Sequence, residues 1–335
     1  IRETLFFFIE KFFLKVSRQS ARMVSSQARL IFSKTLPVSN LGNIEIGQNL
    51  LKKVSLFGNV LLDVQTDNPW RILPFSEEVE VGIDGFKWLN DLAIINNQSS
   101  RDLSEAWIEL FPLNRLNINT YSSSARLLAI LRNFPYLKIS SDKEILNKVN
   151  KIIRNDYYFL NFYKFFSFNI LERLTICHSL ILSGYVFNFT KKKQTKTIRL
   201  MIKELLLFKN KIKMCEIRNP EELSKIFVFL YEATEIATHL ESDNSFLELE
   251  KLRKLSYFFG SSLRYLQFGN GSLVSAHGGC LGDYNKYVKL LGEIKKYKVG
   301  DKVSHLGFKR VDGARMSIII DVSPPLYAKR DGVAH

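Results

Sequence analysis

The chain has 335 residues, 46% of them hydrophobic and 24% charged, which excludes a disordered polypeptide and allows one large core or two ordinary ones. A net charge of +15 and a pI near 9.6 admit a polyanionic partner: nucleic acid, an anionic membrane or an acidic polysaccharide. They fit equally a lysine-coated ordinary surface, because Lys, Ile, Asn and Phe are all plentiful. The three cysteines, Cys177, Cys215 and Cys280, have no CxxC spacing, so they define neither a zinc site nor a disulfide framework, and no metal or cofactor is expected.

The chain begins at Ile1 rather than Met and ends at His335, and reads as a fragment cut at both ends. The absence of a signal peptide therefore decides nothing. LFFFIEKFFLKV (residues 5–16) is interrupted by Glu10, Lys11 and Lys15, whereas a membrane span needs about 20 mostly apolar residues. It predicts an amphipathic helix, packed on the body or lying on a membrane surface. Residues 1–35 read as one or two helices ended by Pro37. Residues 40–81 read as short extended pieces, NIEIG and KVSLFGNVLLDV, with a turn at Gly58-Asn59.

From Gly85 the helical period takes over. In FKWLNDLAII the residues Phe86, Leu89, Leu92 and Ala93 fall on one face. SSSARLLAILRNF follows, its serines suited to an N-cap. Further helices are expected at about 142–167, 170–187, 196–215, 220–240 and 245–267. The basic run Lys191-Lys192-Lys193-Gln194-Thr195-Lys196 falls between two of them and reads as a solvated loop. Asn219-Pro220-Glu221-Glu222 is a start signal, with Asn as cap, Pro in the first turn and acids against the dipole. QFGNGSLVSAHGGCLGD (residues 267–283) breaks the pattern. One more helix is expected over 284–296, then a hairpin in GFKRVDGARMSIIIDV that turns at Asp312-Gly313.

The segments RYLQFGNGSLVSAHGGCLGD, SHLGFKRVDGARMSIIIDVSPP and AKRDGVAH stand in an order that resembles the heparinase II/III-like family, its alphaproteobacterial branch above all. GFKWLNDL, NINTYSSSARLLAIL and RLTICHSLILSGYVF are similar to upstream motifs of the same family. The resemblance covers about residues 85–335. It implies a mainly α chain: an incomplete (α/α) toroid of helical hairpins followed by the start of an antiparallel β-sandwich. Residues 1–84 would be N-terminal helices and connector, 85–283 the toroid, and 284–335 a linker helix and the first strands of a truncated β domain. It also implies a polysaccharide lyase cleaving a uronate-containing glycan by β-elimination, commonly exported to the periplasm or envelope. The alternative is a non-catalytic envelope-glycan binding or assembly protein on the same scaffold. Nucleic acid is not an expected partner, for want of a motif.

β-Elimination needs a neutralised carboxylate, a base and an acid. Set against the family's motifs, Leu171 and Glu172 stand where its Asn-His pair would be, and Glu222 and Leu223 where its Tyr and His would be. The remaining candidates for proton transfer are His305, His335 and His277, since a neutral imidazole exchanges protons near pH 7. Arg126 and Arg218 are candidates to grip an anionic ligand through two hydrogen bonds. Tyr121 and Asp283 complete the substrate-binding candidates. Trp70, Trp88 and Trp107 read either as sugar-stacking platforms or as core, with helical spacing favouring burial of the last two. His178 reads as a core histidine and His239 as a solvated partner of Glu235.

Overall fold

The computed structural model describes residues 2–25, 30–37, 42–52, 54–57, 60–63, 69–71, 82–116, 119–167, 169–213, 219–240, 247–269, 271–276, 296–297, 307–313 and 316–322. Within these residues the protein is mainly helical, with two two-stranded antiparallel sheets. It divides into two compact units, Ile1–Thr197 and Ile198–His335.

The first unit holds α1 (Arg2–Ser25), α2 (Ile44–Leu51), the hairpin β1 (Val54–Phe57) and β2 (Val60–Asp63), α3 (Lys87–Ile95), α4 (Gln98–Leu110), α5 (Thr120–Ser140), α6 (Lys143–Tyr163) and α7 (Ile170–Val186). It also contains the first residues of α8 (Lys191–Lys213). Short polar side chains start these helices. Asn119, Asp142 and Asn169 each accept hydrogen bonds from first-turn amides, and Asn97 with Ser100 forms a reciprocal capping box. The serines of α5 are thus not its cap: Asn119 caps it, and Ser122, Ser123 and Ser124 are buried inside.

NIEIG is helical, not extended. Asn43 Oδ1 accepts from the Glu45 and Ile46 amides and nucleates α2, and Asn43 N–H in turn donates to Asp91 on α3 at 2.8 Å. Gly47 permits that approach, since a Cβ there would lie 2.3 Å from the Asp91 carbonyl oxygen.

The tryptophans belong to the core, so the stacking-platform alternative is withdrawn. Trp70, Trp88 and Trp107 are buried with Phe86 and Phe111 in a set of edge-on and tilted contacts, Trp88 to Trp107 at 5.0 Å and Trp70 to Phe111 at 4.9 Å. Trp70 Nε1 donates to the Trp107 carbonyl and Trp88 Nε1 to that of Ile83. Phe86 caps α3 with a left-handed backbone (φ 52°) and turns its ring into this cluster. α5 packs on α6 and α7, and α1 lies along α6, where Phe13 stacks on Phe166 at 4.1 Å. Among the described residues no helix is long and apolar enough to cross a membrane.

The second unit carries most of α8, then α9 (Pro220–Leu240), α10 (Leu247–Tyr265) and the hairpin β3 (Phe308–Asp312) and β4 (Ser317–Asp321). Asn219 Oδ1 accepts from Glu221 N–H at 2.8 Å, as the start signal predicts. α9 packs on α10, and Arg199 on α8 pairs with Glu248 on α10 at 2.5 Å. Beyond α10 the chain doubles back: Gln267 bridges Leu273, and Gly271 sits at φ 92°, which suits glycine. Arg310 on β3 ties this bend down, donating to the carbonyls of Tyr265 (2.9 Å) and Gln267 (2.7 Å). The hairpin register runs from Phe308 opposite Asp321 to Asp312 opposite Ser317.

Candidate functional site

Of the residues singled out in the sequence, His277, His305, His335, Arg218 and Asp283 lie outside the described residues, as do Cys215 and Cys280. Tyr121 and Arg126 remain. Both are on α5, five positions apart, hence roughly 140° apart around the helix. Tyr121 is half-buried in the first turn, its N–H donating to Asn119 Oδ1 at 2.7 Å. His178 and Cys177 are buried in α7, and His239 is exposed at the end of α9.

Arg126 is fully buried. Its Nε and Nη2 donate to the two carboxylate oxygens of Asp156 on α6, each at 2.7 Å, and Nη1 donates to the Asp84 carbonyl at 2.5 Å. The guanidinium lies over the rings of Phe111 (5.2 Å) and Phe86 (5.8 Å). Burial pushes the Asp156 carboxyl up from its ordinary range, against the pull of Arg126. The two-pronged grip expected for a ligand carboxylate is thus made to an internal one, joining α5 to α6 in the core. Glu172, where the resemblance places half of a catalytic pair, is also buried. Its oxygens accept from Thr120 Oγ1 on α5 and from Ser167 Oγ just before α7.

A cavity of about 450 Å³ opens where the end of α6, the body of α7 and the first turns of α8 meet, all within the first unit. Its polar lining is Lys164, Lys193, Lys196, Asn161, Gln194 and Thr197. Tyr157, Phe162, Phe165, Phe166 and Phe189 form much of its apolar wall. No Asp or Glu is among its described lining residues. The supposed solvated loop is therefore the start of a helix, and Lys193, Gln194, Lys196 and Thr197 from it face a cavity.

The corner between α7 and α8 sets these side chains in place. Asn188 takes the left-handed conformation (φ 50°), Phe189 N–H reaches back to the Gly184 carbonyl at 2.9 Å, and Asn188 N–H reaches that of Tyr185 at 3.1 Å. The Thr190 carbonyl then accepts from the Lys193 and Gln194 amides and begins α8. Gln194 Nε2 donates to the Phe189 carbonyl at 2.5 Å, which fixes the orientation of the amide, and its buried Oε1 accepts no hydrogen bond. Gly184 makes room for this side chain: a Cβ there would meet Gln194 Cγ at 3.3 Å.

Lys193 Nζ sits 3.5 Å from the Phe189 ring centroid and 5.4 Å from that of Tyr157. Lys164 Nζ donates to Asn161 Oδ1 at 2.7 Å and lies 4.9 Å from the Phe165 centroid. Burial lowers the pKa of Lys164, Cys177 pulls it back up in part, and Lys196 and Lys193 each lower it by less. Burial also lowers Lys193. α8 opens with three lysines and no acidic residue in its first turn, the unfavourable sign for the positive end of a helix. Chemically this is a partly desolvated cationic pocket with aromatic walls: a seat for an anion attached to something flat or ring-shaped.

No metal-ligand cluster of His, Cys, Asp or Glu occurs among the described residues. No family model, curated protein or solved structure matches the chain. The composition gave only a diffuse signal for the cavity. The run Lys191–Lys196, which reads as a solvated loop between two helices, is the nearer signal, and it opens α8 instead.

Proposed function

We propose that the protein binds an acidic glycan without cleaving it, on a helical scaffold akin to the incomplete toroids of heparinase II/III-like proteins and in the envelope setting common to them. The single observation behind this reading is the cavity of Lys164, Lys193 and Lys196, which has aromatic walls and no acid among its described lining residues. Three ammonium groups attract an acid group, and the incompletely buried rings of Phe162, Phe165 and Phe189 offer surface to a sugar. Binding is favoured over elimination because the family's acid and base positions hold Leu171, Glu172, Glu222 and Leu223. Of these, Glu172 is already committed to Thr120 and Ser167.

One observation favours the second reading, a lyase. Lowering the Lys164 pKa brings its neutral amine nearer to physiological pH, where it would serve as a base beside cations that acidify the α-carbon. The test is to titrate the full chain with uronate glycans by calorimetry and to follow the same mixtures by ultraviolet absorbance for the conjugated double bond of an eliminated product. Heat of binding with flat absorbance is the expected result. Rising absorbance lost in Lys164→Met would establish elimination instead, and absence of both signals would overturn both readings.

A further inference from the structure

We infer that the cavity is built for a dianionic phosphomonoester carried on a hydroxylated ring, a sugar phosphate or the phosphorylated unit of a glycan, in preference to a carboxylate. The inference rests on the reading above that this cavity is where the acidic ligand enters, and it names the acid. Charge count comes first. Lys164, Lys193 and Lys196 converge with no carboxylate among the described lining residues. A monoanion leaves two uncompensated cations in a partly desolvated site, whereas a dianion leaves one, so the second ligand charge meets attraction rather than repulsion. Shape agrees with charge. Ammonium groups are compact point charges, each with three rotatable donors, and they can surround a tetrahedral phosphate from three sides. A flat carboxylate is best met by the planar fork of an arginine, and none is among the described lining residues.

The rest of the ligand is read from the walls. Phe162, Phe165 and Phe189 present ring surface beside the lysines, and Tyr157, itself buried, belongs to the same wall. Burial pushes the Tyr157 phenol well above its ordinary range, so that wall stays neutral. Gln194 Oε1 is a buried acceptor without a donor, a costly state that a ligand hydroxyl relieves once it enters beside the anion. Facing the anion seat are Tyr157 and Lys164 from α6 and Lys193 and Lys196 from α8, while Cys177, buried in α7 outside the lining, acts on Lys164.

The experiment is calorimetric titration of the full chain with glucose 6-phosphate, inorganic phosphate and glucuronate at constant salt, at about pH 7.5 and about pH 5. The expected result at the higher pH is glucose 6-phosphate binding about tenfold or more tighter than glucuronate. Its affinity should drop severalfold at the lower pH, as the phosphate dianion takes up a proton at its second pKa of about 6 and becomes a monoanion, while that of glucuronate holds. Lys193→Met, at an exposed position that folding tolerates, should remove about tenfold of the sugar phosphate affinity. Gln194→Leu should weaken glucose 6-phosphate and leave inorganic phosphate unchanged. Glucuronate binding as tightly as glucose 6-phosphate overturns the phosphate inference and leaves acidic-glycan binding standing. Inorganic phosphate binding as tightly as the sugar phosphate overturns the reading of the hydroxylated ring. No binding of either sugar, together with no binding of uronate glycans, removes the site altogether.

Discussion

Two cationic regions of the first unit both draw on α6. At Asp156 the helix supplies a carboxylate that holds the buried Arg126 with two 2.7 Å hydrogen bonds. At the helix end it supplies Lys164, facing Lys193 and Lys196 across a cavity without a described acid. The arginine is matched from within and so belongs to the fold. The lysines repel one another, Lys164 and Lys193 lie over aromatic rings, and their charge is left available to something from outside. A cation's exposure says less about its use than whether the chain has provided its counter-charge.

The largest expected effect breaks the first member of this comparison. Arg126→Ala should cost about 3–5 kcal/mol of stability, read as a lower urea midpoint, because Asp156 is left buried and unpaired. Arg126→Met combined with Asp156→Leu should recover most of that loss, since a buried pair is often replaceable by packed apolar groups. If the single variant is no less stable than the parent, the pair is not the lock described here.

A smaller effect, of opposite sign, sharpens the second member. Lys164→Met should leave the thermal midpoint unchanged or raise it slightly while abolishing anion binding, because it removes repulsion and desolvation at once. The pH dependence follows the same logic. Lys164 and Lys193 have folded pKa values below those of the unfolded chain, so the unfolded state binds more protons across that interval. Stability should therefore rise with pH from their lowered values toward the ordinary lysine value near 10.5, a rise to which Lys148 contributes as well. Above about pH 10 the raised tyrosines Tyr136, Tyr157 and Tyr158 reverse the trend, since the unfolded chain ionises its phenols first. Thermal melts between about pH 8 and pH 10 check this, and a Lys164→Met, Lys193→Met double variant should flatten the slope.

The smallest effect is expected at Gly184. Replacement by Ala gains up to about 1 kcal/mol of helix propensity and loses some of it in displacing Gln194 by a few tenths of an ångström. Net stability should change little, while sugar phosphate affinity falls a few-fold.

Several helices were legible because they announce themselves twice, by apolar period and by cap. Asn219-Pro220 marks α9 to the residue, and the hairpin at Asp312-Gly313 pairs over the stretch its alternation suggests. NIEIG was misread because its β-branched residues outweighed an asparagine cap whose effect depends on α3 lying alongside. Arg126 was visible as a functional cation and invisible as a core one, since Asp156 is thirty residues away and only the packing of α5 on α6 joins them. The cavity was least legible of all. Lys164 and Lys193 are brought together by the reversal at Asn188, and nothing in the local pattern of either segment says so.

That reversal has a consequence for how the pocket responds to change. Asn188 at φ 50° turns the chain between α7 and the first residues of α8, so the placement of Lys193 and Gln194 along the cavity is geared to one backbone torsion. Glycine at this position would relax the gear and a β-branched residue would jam it. The lining of the cavity is then adjustable from Asn188, a residue outside that lining.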